Sequence, residues 1–351
     1  MNKSAKIFVA GHRGMVGSAL CRRLRKLGFE NLVTRTRSEL ELLDSRAVNA
    51  FLAAERPDYI FIAAAKVGGI QANNNFRADF IYENLMVEAN VIHGAHLAGV
   101  QRLMLLGSSC IYPRDCPQPI KEAYLLSGPL EPSNEPYAIA KIAGIKLCES
   151  YNAQYGRQYI CTMPTNLYGP NDSYNLANCH VMPAMIRKAH EARERGDAEL
   201  VVWGSGKPHR EFLYVDDLAE ACVHLMEINY DGPLVNVGMG SDVSIRELAE
   251  TVMKVVGFNG RITFDSSKPD GTPRKLLDVS RLAALGWRAS IALEDGIRMA
   301  YEHAPFYATP SSLPPQTRRA TDSLPAFALA SHGGRRQAAA NPIATIPAHA
   351  L

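Results

Sequence analysis

The middle of the sequence carries side chains that could move protons to and from a substrate. Tyr137 and Lys141 are four residues apart, a spacing that places both on one face of a helix. A neighbouring ammonium favours the ionised form of a phenol, so such a tyrosine can pass a proton near neutral pH. Ser108 lies at the end of a predicted buried strand, and its hydroxyl could hold the same substrate oxygen. A Tyr-x-x-x-Lys pair occurs by chance in many helices, so the interpretation depends on its surroundings.

A glycine-rich turn lies upstream of this pair. The first predicted helix follows a strand and begins within the run Gly11-His12-Arg13-Gly14-Met15-Val16-Gly17. Gly11 permits a tight turn, Gly14 lets the backbone approach a pyrophosphate, and Gly17 allows the helix to pack closely on the strand. We expect a dinucleotide at this turn, although a merely tight strand-to-helix connection is the alternative for a Gly-x-x-Gly-x-x-Gly spacing.

The end of the second predicted strand distinguishes between dinucleotides. Enzymes that use NAD usually place an acid there to bind the ribose hydroxyls. This sequence has Arg35 and Arg37 instead, and Arg13 lies in the glycine turn. A guanidinium group suits a 2′-phosphate, so the sequence predicts NADP, used as NADPH, with Arg13 and Arg37 near that phosphate. Either second-strand arginine could instead point to solvent, Arg35 above all.

The elements that must position these groups alternate between strand and helix. Strands are predicted at residues 6–11, 32–36, 59–65, 102–109 and 159–165, and helices at 15–28, 45–55, 78–98 and 137–155. Such alternation predicts an α/β fold with a Rossmann-type, doubly wound parallel sheet.

The pattern becomes irregular after residue 170. We expect residues 1–170 to form an NADP-binding domain, joined by some chain from the C-terminal half, and residues 171–304 to form a smaller α/β substrate-binding lobe. Ser244 and Glu247 predict a capping box at the start of a helix in this lobe. Residues 305–351 are rich in proline, alanine and serine and predict a disordered tail. Such a tail could serve regulation or interaction, or be an incidental extension.

Composition excludes several classes of protein. The chain has 351 residues, of which 47% are hydrophobic and 21% charged, and its formal net charge is only +3. It lacks the basic stripe of a nucleic-acid-binding protein. No apolar run approaches the roughly 20 residues that span a bilayer, so no membrane association is expected. Seven scattered cysteines without a Cys-x-x-Cys pair, together with the lack of a signal-peptide pattern, predict reduced thiols in the cytoplasm.

Longer motifs give the sequence a family resemblance. They include Gly107-Ser-Ser-Cys-Ile-Tyr-Pro and Asn134-Glu-Pro-Tyr-Ala-Ile-Ala-Lys, with further stretches at residues 11–19, 63–70, 163–170 and 268–275. Through them the sequence resembles the extended short-chain dehydrogenase/reductase superfamily from about residue 5 to about residue 303. The resemblance narrows to members that convert GDP-4-keto-6-deoxy-D-mannose to GDP-L-fucose. That function would combine 3,5-epimerisation with NADPH-dependent reduction at C4.

The resemblance implies a role for Cys110. A ketone at C4 acidifies the C–H bonds at C3 and C5, and inversion there takes a base on one face of the sugar and an acid on the other. The resemblance assigns these two roles to Cys110 and His180. It further implies that Tyr137, with Ser108, holds and then protonates the C4 oxygen, that Lys141 tunes Tyr137, and that no metal is required. Taken alone, Cys110 could be an inert buried thiol and His180 a capping or core residue.

The resemblance also implies ligands and a partner. The cofactor set extends the glycine turn with Arg37, Leu106, Gly107, Ser108, Lys141, Pro164, Thr165, Asn166, Leu167 and His180. Lys188 and Arg210 would meet the diphosphate of the GDP-sugar, Trp203 would pack on a ring, and Asp270 would accept sugar or base hydrogen bonds. A homodimer is implied through the helices at 78–98 and 137–155. Small apolar residues at the second helix could line that interface or equally belong to the core, namely Ala138, Ile142, Ile145 and Cys148.

Other functions make different demands on the sequence. A UDP-sugar 4-epimerase of the same superfamily would not need Cys110 with His180. A 4,6-dehydratase typically carries an Asp-Glu pair where this chain has Ser109 and Cys110. A non-catalytic NADP-sensing or scaffold protein usually loses the tyrosine or the lysine, and both are retained. Interaction through the tail stays open as an added role.

Overall fold

The computed structural model describes residues 1–176, 179–232, 234–268 and 270–307. The predicted tail therefore lies outside the described residues from residue 308 onward. Thirteen strands are present in these ranges: β1 (Ile7–Ala10), β2 (Leu32–Val33), β3 (Tyr59–Ile62), β4 (Arg102–Leu106), β5 (Gln158–Pro164), β6 (Asn166–Tyr168), β7 (Glu199–Trp203), β8 (His209–Arg210), β9 (Phe212–Tyr214), β10 (Val235–Val237), β11 (Val243–Ser244), β12 (Arg261–Asp265) and β13 (Arg274–Lys275).

Ten helices accompany the strands in the described part of the chain. They are α1 (Met15–Lys26), α2 (Ser45–Glu55), α3 (Ile70–Asn75), α4 (Arg77–Leu97), α5 (Glu135–Tyr155), α6 (Val181–Arg195), α7 (Val215–Glu227), α8 (Ile245–Val256), α9 (Ser280–Ala284) and α10 (Leu293–Glu302). Two short 3₁₀ turns cover Ser109–Ile111 and Glu122–Tyr124. None of the described helices is long and apolar enough to cross a membrane.

The central sheet has six strands in the order β10-β5-β4-β3-β1-β2. Every neighbouring pair is parallel, so all six strands end at the same edge of the sheet. The prediction of a Rossmann-type parallel sheet is confirmed. Its outer strand β10 comes from the second half of the chain and pairs with β5 through Val235 and Thr162.

Both faces of this sheet are covered, because successive side chains of a strand point to opposite sides. In β1, Phe8 and Ala10 join the core beneath α2, α4 and α5, whereas Ile7 and Val9 join the core beneath α1 and α7. All four are at most 2% exposed. A strand buried on both sides reads as a continuous apolar run, which explains why these strands could be predicted without alternation.

All five strands predicted in the first half of the chain end earlier than expected, by three residues at 32–36, 59–65 and 102–109. The last two of these ends border the site. The strand predicted at 59–65 stops at Ile62, and Ala63 makes only one further backbone bond, to the carbonyl of Ala10. The strand predicted at 102–109 stops at Leu106 because Ser108 already caps a 3₁₀ turn by accepting a hydrogen bond from the Cys110 N–H. In both places the chain leaves the sheet where the site is built.

Part of the second half of the chain packs around an apolar core of its own, whereas α7 and β10 belong to the central sheet and its cover. This core is made by α6, α8 and α10 together with β7 and β9. The predicted capping box at the start of α8 is present, since the Ser244 side chain accepts from the Glu247 N–H and Glu247 reaches back to the Ser244 N–H. A three-stranded sheet, β11-β8-β13, lies in this half as well. Its strands of two residues were too short to predict from sequence.

Glu211 joins the lobe to the central sheet. It is fully buried between β8 and β9, and its carboxylate accepts hydrogen bonds from the N–H groups of Gly240 (2.7 Å) and Leu277 (3.0 Å). Its backbone carbonyl accepts from the side chains of Thr165 (3.2 Å) and Asn166 (2.8 Å), which follow β5. One residue thus connects three segments that converge at the end of the sheet.

We expect Glu211→Gln to lower the free energy of unfolding by about 3 kcal/mol. The amide would turn a donor toward at least one backbone N–H, leaving a buried N–H without an acceptor. Urea denaturation would measure the loss. Glu250→Gln is the matched control, because Glu250 is exposed on α8 and should change stability little. Equal stabilities for the two variants would contradict the role of Glu211 in holding these three segments together.

Candidate active site

The glycine turn is closed by contacts between backbone atoms. Gly11 has a φ of +85°, and a Cβ there would lie 2.7 Å from the Ala64 nitrogen. A Cβ on Gly17 would lie 2.2 Å from the Gly11 carbonyl oxygen, so the helix can approach β1 only without a side chain. These are the two packing requirements that the sequence predicted for the turn.

The N-terminus of α1 suits a phosphate. Its N-cap residue is Gly14, no side chain caps the helix, and no acidic residue stands in the first turn. A Cβ at Gly14 would meet nothing nearer than 3.5 Å, so the glycine leaves open space beside the helix end. Uncapped N–H groups and the helix dipole attract anions, and the backbone here is bare enough for a pyrophosphate to approach. Met15 and Val16 pack against the core behind the turn.

The arginines predicted for the 2′-phosphate differ in their surroundings. Arg35 is used by the protein itself, since it forms an ion pair with Glu55 (2.7 Å) and lies over the Phe51 ring. Arg37 is 70% exposed and forms an ion pair with Glu41. Arg13 is exposed in the glycine turn. Arg13 and Arg37 are therefore accessible to an anionic ligand, whereas Arg35 is held against α2.

His12 connects the glycine turn to the end of β2. Its ring interacts with the backbone of Arg35, and desolvation, followed by the charge of Arg13, lowers the pKa of His12. The neutral ring is therefore favoured near the glycine turn. This contact brings the predicted pyrophosphate and 2′-phosphate positions to one edge of the sheet.

Ser108, Tyr137 and Lys141 come together as predicted from their spacing. The Tyr137 side chain hydrogen-bonds to that of Ser108, and Lys141 Nζ lies 5.9 Å from the centre of the Tyr137 ring. Burial is the main cause that raises the pKa of Tyr137, and Lys141 counteracts it. Phe80 of α4 packs edge-on against the Tyr137 ring. The site thus holds a desolvated phenol between a hydroxyl and an ammonium.

Lys141 itself is almost completely buried. Its Nζ donates a hydrogen bond to the carbonyl of Leu106 (3.0 Å) and lies 2.8 Å from Glu88 Oε1. Glu88 was missed by the sequence analysis, because a glutamate on a predicted helix is normally assigned to the exposed face. The available signal was Gly144 inside α5, since a Cβ at that position would lie 2.1 Å from Glu88 Oε2.

Cys110 has a charged neighbour that was also missed. Lys275 Nζ lies 3.9 Å from Cys110 Sγ, a contact that joins the 3₁₀ turn after β4 to β13 of the lobe. Lys275 is the last residue of the motif at 268–275. The sequence analysis included this residue but did not predict its contact with Cys110. An ammonium at this distance stabilises negative charge that develops on the sulfur.

His180 precedes α6 and is accessible to solvent. It occupies the N-cap position, yet its side chain makes no capping hydrogen bond, so the capping role considered above does not apply. Desolvation by the surrounding protein lowers the pKa of the ring even though part of it meets solvent. Within the described residues, no hydrogen bond joins His180 to Cys110 or Tyr137. The predicted pair is therefore not joined by a hydrogen bond in the described part of the chain.

The residues predicted to follow β4 and β5 lie at one sheet edge. Leu106 supplies the carbonyl that accepts from Lys141, and the Gly107 N–H donates to the Thr162 carbonyl. Pro164 ends β5, Thr165 and Asn166 bond to Glu211, and Leu167 belongs to β6, which pairs with β9. These segments border the Tyr137 side of the site.

The predicted substrate residues gather in the lobe. Lys188 Nζ lies 4.9 Å from the centre of the Trp203 ring, and the ring is 56% exposed. Lys268, which the sequence analysis did not single out, approaches the same ring at 5.4 Å. Burial lowers the pKa of Lys188 and of Arg210, so both cations are desolvated, a state that an anionic ligand would relieve.

Asp270 has a structural task in this arrangement. Its two carboxylate oxygens accept hydrogen bonds from the N–H (2.6 Å) and the hydroxyl (2.8 Å) of Ser205. These bonds fix the Gly204–Gly206 turn beside Trp203. Each carboxylate oxygen can accept a further hydrogen bond, so the role of Asp270 as an acceptor for the sugar or base stays a prediction.

Comparison with known proteins gives a consistent result. Residues 7–238 match the model of the NAD dependent epimerase/dehydratase family. The GDP-L-fucose synthase of Escherichia coli (strain K12) is 59% identical over 306 residues, which is 85% of this chain and 95% of that protein.

Two solved structures share the fold. A GDP-mannoheptose C4 reductase from Campylobacter jejuni with NADP bound is 41% identical, with a TM-score of 0.79, over 86% of this chain and 98% of that one. A GDP-L-fucose synthetase from Naegleria fowleri bound to NADP is 28% identical, with a TM-score of 0.78, over 86% and 94% of the two chains. The resemblance inferred from the motifs is confirmed. The chain therefore belongs to the NAD dependent epimerase/dehydratase family, with GDP-L-fucose synthases among its high-identity relatives.

Proposed function

We propose that this enzyme converts GDP-4-keto-6-deoxy-D-mannose to GDP-L-fucose by 3,5-epimerisation followed by NADPH-dependent reduction at C4. The observation that carries the proposal is the thiol of Cys110 beside the hydrogen-bonded Ser108–Tyr137 pair. A simple ketone reductase needs the pair but not the thiol. High identity to GDP-L-fucose synthases supports the choice of substrate.

In this proposal residues 1–170, joined by some chain from the C-terminal half, form the NADP-binding domain, and the smaller lobe within residues 171–304 holds the GDP-sugar. Gly11–Gly17 and the N-terminus of α1 receive the pyrophosphate, and Arg13 and Arg37 receive the 2′-phosphate. Lys188 and Arg210 bind the diphosphate of the sugar nucleotide, and Trp203 offers its exposed ring for stacking. Asp270 supports this pocket by holding the Ser205 turn.

Epimerisation uses groups on different elements of the site. A base removes the proton at C3 or C5, and the C4 oxygen becomes an enolate oxygen held by Tyr137 and Ser108. A proton then returns from the opposite face, with Cys110 and His180 as the two exchanging groups. Lys275 stabilises the sulfur of Cys110 when it carries negative charge. His180 has its neutral, proton-accepting form favoured by desolvation.

Reduction completes the reaction in the same pocket. When bound, NADPH supplies the hydride that reduces C4. Tyr137 gives its proton to the C4 oxygen, which it already holds through the hydroxyl, and Ser108 keeps that oxygen in place. Lys141 orients the phenol of Tyr137. In this proposal it also binds the nicotinamide ribose. Because both stages share the C4 oxygen, one pocket is sufficient.

We propose a homodimer formed through α4 and α5. Ala138, Ile142, Ile145 and Cys148, considered above for the interface, are at most 6% exposed and belong to the core of the chain. The outer surfaces of α4 and α5 instead leave large apolar side chains exposed: Tyr82, Leu97, Ile139 and Tyr155. Such a patch on two adjacent helices suits a second copy of the chain.

A cytoplasmic location fits this chemistry. All seven cysteines are free, and the proposed mechanism needs Cys110 as a thiol. Subcellular fractionation with an antibody to the protein would check the location, and recovery from an oxidising compartment would contradict it.

The purified protein should oxidise NADPH when given GDP-4-keto-6-deoxy-D-mannose and should release GDP-L-fucose. NADH should serve less well, because it lacks the phosphate for Arg13 and Arg37. The absorbance of NADPH and chromatography of the sugar nucleotide would follow the reaction. No turnover with this sugar would refute the proposed function, and equal use of NADH would refute the arginine assignment.

Cys110→Ser should reduce proton exchange at C3 and C5 by about 100-fold or more, because a serine hydroxyl is a far weaker acid than a thiol and is not ionised near neutral pH, so it can neither donate nor accept the proton efficiently. Incorporation of deuterium from heavy water would measure the exchange. Hydride transfer to a ketone that is already epimerised should fall much less. Cys116→Ser, at a half-buried thiol six residues along the chain, is the control. Equal loss of both steps would contradict this division of roles.

Tyr82→Glu should convert the dimer to a monomer, since it places a charge in the proposed apolar interface. Sedimentation equilibrium would detect a fall from twice the chain mass of 38.4 kDa to that mass. Ile228→Glu alters an exposed apolar residue outside the two helices and should leave the dimer intact. A wild-type chain that sediments as a monomer would refute the dimer.

A further inference from the structure

Glu88 and Lys141 form an ion pair inside the protein. Each side chain is 2% exposed, and Nζ lies 2.8 Å from Oε1. Within the described residues, neither carboxylate oxygen of Glu88 accepts a hydrogen bond of good geometry, and Lys141 is the one charged group that acts on Glu88. The carboxylate therefore depends on the ammonium of Lys141 for compensation.

Helices α4 and α5 leave space for this pair because α5 has a glycine where they meet, which weakens α5. Gly144 follows Lys141 by about one turn, and a Cβ there would lie 2.1 Å from Glu88 Oε2 and 2.9 Å from Leu105 Cδ2. A glycine in the interior of a helix weakens that helix relative to alanine. Buried ion pairs are also often no more stable than apolar side chains of similar volume. Stability alone therefore does not account for the carboxylate at this position.

The pair lies directly behind the proton-transferring phenol. Three titratable groups lie near the ion pair: Tyr137 and Cys148 on α5, and Cys161 on β5. A fourth, Cys110 in the 3₁₀ turn, acts on Tyr137. Glu88 and then Tyr137 outweigh the effect of burial and raise the pKa of Lys141, which stays an ammonium. Burial raises the pKa of Glu88, and the ammonium 2.8 Å away opposes that effect, so the contact favours the ionised pair. The net charge behind Tyr137 is then zero.

We propose that Glu88 is a positioning residue that neutralises Lys141 and fixes it on the Leu106 carbonyl, so that Tyr137 remains a phenol able to give its proton to the substrate. A lysine without a counter-ion would favour the phenolate, which suits the oxidation of an alcohol. The reduction of a ketone needs the opposite form, because the C4 oxygen must receive a proton. This inference rests on the proposed function. It names Glu88 as the group that favours reduction of the ketone over oxidation of the alcohol.

The proposal predicts how the pH dependence of NADPH oxidation changes in Glu88→Gln. Removing a negative charge makes the next proton easier to lose, whether it leaves Tyr137 or Lys141. The alkaline limb of the kcat profile should therefore move to lower pH by about one unit or more. Glu149→Gln is the matched control, because Glu149 lies on α5, is partly exposed and pairs with Lys146. Its alkaline limb should coincide with that of the wild type.

A merely structural role would give a different result. Glu88→Gln would then lower the melting temperature and scale kcat down equally at every pH, and an unshifted alkaline limb would overturn the proposal. If the glutamine variant does not fold, Glu88→Asp retains the charge but draws it back by one methylene, and a smaller shift in the same direction is expected. An unshifted limb in a folded Asp variant would overturn it equally. A wild-type enzyme that fails to oxidise NADPH with this sugar would refute the proposed function instead.

Discussion

The parallel sheet, covered on both faces, is the constraint on which the site depends. Side chains along β1 are divided between two apolar cores, so the interior of the sheet has no room for polar chemistry. The functional groups that the sheet contributes therefore lie where its strands end, and the helices α4 and α5 add Glu88, Tyr137 and Lys141. Gly11 follows β1, Ser108 follows β4, and Thr165 follows β5. Because all six strands are parallel, these ends meet at one edge, and loops of distant sequence become neighbours.

A second constraint is the need to hold the lobe against that edge. Glu211 does so with a buried carboxylate and a backbone carbonyl, which together accept four hydrogen bonds from Gly240, Leu277, Thr165 and Asn166. The lobe in turn brings Lys275 to Cys110. The thiol is thus completed by a residue 165 positions away in the chain. The proton-transfer site is a property of the assembled fold, rather than of the motif around Cys110.

The sequence allowed the parallel sheet, the glycine turn and the Tyr137–Lys141 helix to be predicted, because each depends on local spacing. The capping box at Ser244 is equally local and was predicted correctly. The ends of the strands were predicted less accurately. Ala63 and Gly107 lie beyond the ends of β3 and β4, and contacts with other parts of the fold decide where a strand ends. Glu88 and Lys275 were missed, and Gly144 inside α5 was the one hint that the opposite helix needs room there. Their roles depend on which helix or strand lies opposite, and a charged residue on an isolated helix or a two-residue strand carries no sign of its partner.

The pairing of β8 with β13 has a consequence for how such an enzyme can change. Arg210 and Lys275 are register partners on adjacent parallel strands, so their side chains leave the same face of the small sheet. In the proposed function Arg210 binds the diphosphate of the substrate, and Lys275 contacts Cys110. The distance between anchoring and chemistry is therefore set by a single strand-to-strand step. A change in the register or length of β8 and β13 would move Arg210 and Lys275 together. A redesign of substrate specificity could begin there and leave the dinucleotide-binding domain unchanged.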